Sequence, residues 1–471
     1  MKKREKGYSG RDILIFLLSL LFRGQSGGSV LFYMHSTEEE KGMKEMIKKY
    51  TLFIGMMTLL LVMTGCGSTE KVPEAVGESQ TENNGSQAGE EAVVTGEAAW
   101  VFQTEDGIYY WKYTPESFEE TAVFANYNAI PGVENQLVYR GEDGAETVLF
   151  EADGYGAIVI AGERIFYEFA RDELGNTAIR SCTLDGQDVV ELGEGKLLFG
   201  TEDGKAVICT DSLNQQIERI EASGGHRTVL AENAVYLDHK GDVIYYQPQE
   251  ADMEAAVHGQ ATLAEIRADG SEQKNLYTTA PDLYESDMQG SAEIARLIVQ
   301  EEKIYFSYGS IAGSGMFFQG GKVIRMDRDG NNAEVVAGNE SLVNSIFSVN
   351  PDGSVKSEFG EFEEMLFTRM QESFSVDGKM YLFDPLTGEP EVILTTEDYQ
   401  SVGEGLCNYY EDTCLRVELL EVSDDRVYYL ADYGISDPEN NIGWRTAYRR
   451  ENGALLEKDM ETGAVTTLFT Y

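Results

Sequence analysis

Few residues of this chain have the type and spacing needed for covalent or metal chemistry, and the most telling of them is a cysteine. Cys66 closes the run Leu59-Leu60-Leu61-Val62-Met63-Thr64-Gly65-Cys66, with Lys44, Lys48 and Lys49 ahead of an apolar core over 51–63. That core is too short to span a bilayer, so the layout reads as a secretory signal. The acids of Asp327-Arg328-Asp329-Gly330-Asn331-Asn332 alternate as in a calcium loop, but the twelfth position, which needs a bidentate acid, is Gly338. A hairpin turn is expected there, with no metal and no cofactor. After Cys66 only His226, His239 and His258 remain, without paired ligand spacing for zinc. Gly24-Gln25-Ser26-Gly27-Gly28 fits a G-x-S-x-G pattern but has neither a strand before it nor a helix after it. No catalytic constellation stands out, so no catalytic residue is assigned.

The signal is similar to the lipobox of bacterial lipoproteins, with Met63 in a place where a branched aliphatic residue is usual. The resemblance implies that Cys66 receives a diacylglyceryl group and becomes the mature N-terminus, on the extracytoplasmic face of the cell membrane. Two acyl chains hold a protein there stably, at ~0.8 kcal/mol per buried methylene, where one would not. Residues 1–42 precede the signal and read as an extension from an overextended gene start, because Met43 and Met46 each give a conventional signal. The expected organisation is the extension over 1–42, the signal over 43–65, the lipidated cysteine with a flexible acidic linker over 66–97, and one folded domain over 98–471. The linker is rich in Glu, Gly, Ser and Asn and buries too little to offset its ordering entropy.

Charge narrows the partners. The whole chain carries a net charge of −45, and after Cys66 there are 27 basic residues against 76 acidic ones. Nucleic acid is excluded as a partner. An acidic surface of this kind keeps an exported protein soluble.

Residues 98–471 alternate short β-branched and aromatic runs with glycine turns, which predicts an all-β chain. Apolar strands lead into strands of the type Ile108-Tyr109-Tyr110, Ile165-Phe166-Tyr167, Ile244-Tyr245-Tyr246, Ile304-Tyr305-Phe306 and Val427-Tyr428-Tyr429. Second hairpins recur along the chain, turning at Asp143-Gly144, Asp185-Gly186, Gly224-Gly225, Asp269-Gly270, Asp329-Gly330, Thr387-Gly388 and Thr462-Gly463. Two-residue loops are expected there, since these need positive φ. The spacing suits four-stranded blades, so the fold expected is a single β-propeller of seven blades. Six or eight stay open, because between Gly330 and Met380 the first hairpin runs either through Asp352-Gly353 or through 367–374.

Val243-Ile244-Tyr245-Tyr246 with Glu265-Ile266-Arg267-Ala268-Asp269-Gly270-Ser271, and Ile304-Tyr305-Phe306 with Val323-Ile324-Arg325, carry a further likeness. They resemble the propeller repeat of the low-density-lipoprotein-receptor (YWTD) type and its bacterial relatives. Gln247 and Ser307 stand where that repeat has an acid.

In such a fold, links between second and third strands and links between blades leave at one end. They swell at 114–135, 247–262, 309–321, 431–447, 278–293 and 395–414, and insertions gathered on one face often mark a binding surface. That end is expected to carry Tyr127, Tyr284, Phe317, Phe318, Tyr409, Tyr410, Tyr433 and Trp444, with Asn440, Asn441 and Arg445 as polar neighbours. Such a set suits an envelope glycan, a peptide or a partner protein. The expected role is a binding module; an assembly scaffold and a glycan-cleaving enzyme are the alternatives. Cys407 and Cys414 are expected to pair, closing a short segment worth ~2 to 3 kcal/mol by loop entropy. Cys182 and Cys209 are either bonded or two separate buried thiols.

Overall fold

The computed structural model describes residues 96–471 apart from 118–120, 124–129, 172–175, 212–214, 224, 250–259, 281–291, 313–316, 339–346, 357–372, 377–378, 384–389, 404–412, 424 and 442–445. The described chain is almost wholly antiparallel β-sheet. The first sheet comprises Val101–Thr104, Gly107–Lys112, Asn135–Gly141 and Glu146–Ala152. The second comprises Gly154–Ala161, Arg164–Ala170, Thr177–Thr183 and Val190–Glu194. In the third, Lys196–Gly200, Ala206–Asp211, Gln216–Glu221 and Arg227–Ala231 follow the same order. The fourth has Ala234–Lys240, Val243–Pro248, Thr262–Arg267 and Lys274–Thr278, and the fifth Ala292–Val299, Lys303–Ala312, Phe317–Asp327 and Glu334–Gly338. The last sheet holds Thr413–Val422, Arg426–Ser436, Ala447–Asp459 and Val465–Thr470. Between the fifth and last lie a two-stranded hairpin, Ser348–Val349 with Val355–Lys356, and a three-stranded sheet, Ser373–Val376, Lys379–Phe383 and Pro390–Leu394.

Packing turns this series of sheets into a ring. Val159 and Phe166 of the second sheet pack on Leu197 and Val207 of the third, Phe199 and Ile208 of the third on Ile244 and Tyr246 of the fourth, and Tyr245 and Leu263 of the fourth on Ile304 and Phe306 of the fifth. Met380 and Ile393 of the three-stranded sheet pack on Leu415 and Tyr429 of the last sheet. The last sheet in turn meets the first: Tyr428, Leu455, Leu468 and Phe469 share one cluster with Val101, Tyr110 and Trp111, which also reaches Ile158 and Tyr167 of the second. A sheet with two apolar faces is stable only when both are covered, and a ring covers all of them. The domain is therefore a β-propeller.

The hairpin between third and fourth strands recurs with a shared irregularity. A register shift falls between Leu137 and Val138, Ile179 and Arg180, Ile217 and Glu218, Leu263 and Ala264, Val323 and Ile324, Met380 and Tyr381, and Leu455 and Leu456. A bulge bends a strand and raises its twist, as the blade of a propeller needs. By this marker Lys379–Phe383 and Pro390–Leu394 are the third and fourth strands of their sheet.

The turns differ from expectation. Gly144, Gly270, Gly330 and Gly353 donate to the carbonyl three residues earlier, while the residue at that carbonyl donates to the residue after the glycine, the pattern of a three-residue loop. The preceding aspartate caps the loop, Asp269 Oδ1 accepting from Ser271 N at 2.8 Å and Asp329 Oδ1 from Asn331 N at 3.0 Å. Capping by the short acidic side chain favours this longer loop over the two-residue turn. Gly330, at φ 87°, meets a further demand, because a Cβ there would lie 2.4 Å from the carbonyl oxygen of Leu276 in the preceding sheet.

Two links expected as loops are largely β-ribbon. Lys303–Ala312 pairs with Phe317–Asp327 beyond Ser310, and Arg426–Ser436 pairs with Ala447–Asp459 out to Ser436 and Tyr448. Residues 96–100 join the fold too: Glu97 bridges Phe199 and Ala99 bridges Ile158, so this segment runs along the first strands of the third and second sheets.

Candidate functional site

Fourth strands carry the exposed Val148, Val229, Val335, Val392 and Val465, which makes them outermost and the first strands innermost. Chain direction then sends the tight turns to one end of the ring and the longer links to the other. Segment 96–100 climbs antiparallel to the inner strands, with Gly200 N donating to Gly96 O at 2.9 Å, Ala98 N to Leu198 O at 2.7 Å and Ile158 N to Ala99 O at 2.8 Å. It delivers Trp100 to the looped end.

There Trp100 meets Tyr155, at the start of the second sheet's inner strand, edge to face at 4.9 Å, and Tyr113 at 6.3 Å. Tyr113 contacts Tyr155 at 5.9 Å and Tyr471 at 6.2 Å. Trp100 and Tyr155 are half-buried, as are Arg416 and Glu418, an ion pair on the last sheet's inner strand. Burial first and the Glu418 charge second push the Tyr155 phenol up. Behind them Tyr471 donates to Asp432 Oδ1 at 2.7 Å, and the Arg450 guanidinium lies 3.7 Å from Asp432 and over the Tyr471 ring at 5.2 Å. Burial raises the Asp432 carboxyl, with Arg450 opposing.

Glu168, on the second sheet's second strand, accepts from Leu197 N of the third sheet at 2.8 Å. Burial raises its carboxyl to about 7, against the lowering effect of the Leu197 and Ala157 amides. Gln247 performs the same task between the fourth and fifth sheets, accepting from Ile294 N at 2.8 Å. Nearer the turn end, burial and then Glu97 raise Glu421 to about 7. The looped end thus offers aromatic faces and one paired cation and anion, with Glu168 and Gln247 each accepting from an amide of the next sheet. This chemistry stacks and orients a ring or a planar group.

Most of the residues expected to bind are not among the described ones. Trp444, Arg445, Tyr409, Tyr410, Tyr127, Tyr284 and Cys407 lie outside the described residues, and for Phe317 and Phe318 only the strand position is described. Tyr433 stands in a strand, packed against the core shared with Tyr399 and Leu415; a Cβ on Gly403 would lie 2.2 Å from its ring. Asn441 is exposed and accepts from Ala447 N at 2.7 Å, while Asn440 donates to Asp437 at 2.8 Å. Cys414 is buried and disulfide-bonded, its partner lying outside the described residues, and Cys182 and Cys209 are separate buried thiols raised to about 12. Asp327 accepts from Lys303 and from Asn332 Nδ2 at 2.6 Å, so that turn uses its own carboxylates. His239 stacks on Phe199 at 3.7 Å.

Sequence reasoning missed Trp100, Tyr155 and Arg416. Trp100 and Tyr155 sit at strand starts, where aromatic residues read as core, and Arg416 is the fourth residue of its strand.

No family model matches the chain, and no curated protein does. Among solved structures, a prolyl endopeptidase overlaps at 12% identity, covering 80% of this chain and 50% of that one, with a TM-score of 0.40. The β-propeller domain of the trilobed protease from Pyrococcus furiosus overlaps at 12% identity, covering 80% and 98%, with a TM-score of 0.36. A putative TolB from Agrobacterium tumefaciens overlaps at 15% identity, covering 56% and 97%, with a TM-score of 0.25. This chain spans about half the length of the endopeptidase. The propeller assignment rests on the packing of the sheets and not on these likenesses.

Proposed function

We propose that the chain is a lipid-anchored, extracytoplasmic propeller of seven four-stranded blades that binds an envelope glycan, peptide or protein at its looped end. The repeated bulge supports seven, counting the sheet around Met380 as the sixth blade. The anchor rests on the signal ending at Cys66, and the bond to a receptor-type propeller on the short repeats around Tyr245 and Tyr305. The observation that carries binding is the half-buried aromatic pair Trp100 and Tyr155 at the end from which the links emerge. A scaffold role is favoured instead by the outer belt of exposed valines, which offers edges to a partner. Glycan cleavage ranks third, since it needs two carboxyl groups free to act, and Glu168 and Asp432 are held by amides and by Tyr471.

A glycan and peptide screen on the mature lipidated protein tests the reading. For any ligand found, Trp100→Ala is expected to weaken binding at least about tenfold, as loss of a stacking anchor does. Unchanged affinity would move the site away from Trp100. A screen without ligands would favour the scaffold.

A further inference from the structure

The joint between the last and first sheets is built differently from the other joints of the ring. Elsewhere backbone crosses from sheet to sheet, through single residues at 153 and 195 and through 232–233. At this joint the four strands of the first sheet come from 101–152 and those of the last from 413–470, with no shared blade. The seam is held by side chains: Tyr110 stacks parallel to Phe469 at 6.0 Å, and Arg140 of the first sheet pairs at 2.5 Å with the buried Glu457 of the last. One short piece of backbone does cross. Strand Thr121–Val123, from the link between second and third strands of the first sheet, pairs with Ala447, Tyr448 and Arg449 as an added strand of the last sheet.

We infer that this seam is where the ring opens, and that Thr121–Val123 is the clasp that holds it shut. Three residue pairs give little backbone bonding, and separation would expose the buried Glu457 and the Tyr110 and Phe469 faces to water while breaking no sheet pairing but that of the clasp. Tyr113 and Tyr471 belong both to the seam cluster and to the ring contacts at the looped end, so opening would also expose those rings from the side. The opening stands whatever that end binds.

Matched thiols test this in the full chain. Leu468 at the seam and Leu230 between the third and fourth sheets are both on fourth strands and equally buried, at 8%. Labelling by a disulfide reagent under native conditions should be at least about tenfold faster for L468C than for L230C, reporting local opening. Adding Ala122→Pro to the clasp should speed L468C about tenfold more and leave L230C unchanged. If the proline variant fails to fold, replacing 119–125 with a Gly/Ser segment of equal length makes the same prediction. Equal rates for the two thiols, or a clasp change that accelerates both alike, would overturn the inference.

Discussion

Glu168 shows how one residue can serve the ring and set its pH response. Its carboxyl stands near 7 in the fold and at 4.5 as a free side chain, so between these values the folded state holds a proton that the unfolded chain has released. Stability from this group is therefore greatest below about pH 4.5, declines as pH rises towards about 7, and is level above it. Glu421, raised to about 7 as well, slopes the same way. Glu168→Gln keeps an acceptor for Leu197, as Gln247 already does for Ile294, and should flatten part of that slope. Glu168→Ala strands buried amides and should cost about 1 to 3 kcal/mol. Urea unfolding of both variants from pH 4.5 to 8 checks this; a slope unchanged in Glu168→Gln would remove Glu168 as its source. In the sequence Glu168 follows Ile165-Phe166-Tyr167 with no pattern of its own. Its task is set by Leu197, a contact between sheets that no local pattern announces.

Among the elements, the glycine turns were the most legible feature and also the most misleading in detail. Their positions mark the paired third and fourth strands, because the chain must reverse there. The loop type was hidden because it depends on the aspartate cap. The cost of each glycine is hidden too, since it depends on the neighbouring sheet. Gly330 lies against Leu276 O, whereas a Cβ on Gly463, at φ 71°, meets nothing within 4 Å. Gly463→Ala should cost only the conformational term of about 1 kcal/mol, and Gly330→Ala at least about 1 kcal/mol more. Thermal melts would show this as a larger fall for Gly330→Ala; equal falls would mean that sheet packing does not touch the turn. The ribbons of the fifth and last sheets read as loops because their polar, glycine-rich sequences lack strand alternation. Pairing with a regular neighbour overrides that weak local preference.

At the scale of the molecule, the proposed signal and the propeller make separate demands. Cys66→Ala should leave the protein unprocessed or release it from membranes while the folded part melts as before; membrane fractionation with mass spectrometry of the N-terminal peptide reads both. Normal processing and retention would contradict the lipid anchor. All-β class, recurring hairpins and the propeller they imply were legible from alternation, turns and spacing, but the residues that close the ring were not. Closure depends on Tyr110 meeting Phe469 and Arg140 meeting Glu457 across more than three hundred residues. Closure is what makes an inner face and a looped end, so it is the claim to test. Double electron–electron resonance between spin labels at outer-strand positions does so, comparing V148C/V465C, on the first and last sheets, with V148C/V335C, on the first and fifth. The ring predicts the shorter distance for V148C/V465C. An open array of sheets would make that pair the longer one and contradict the account.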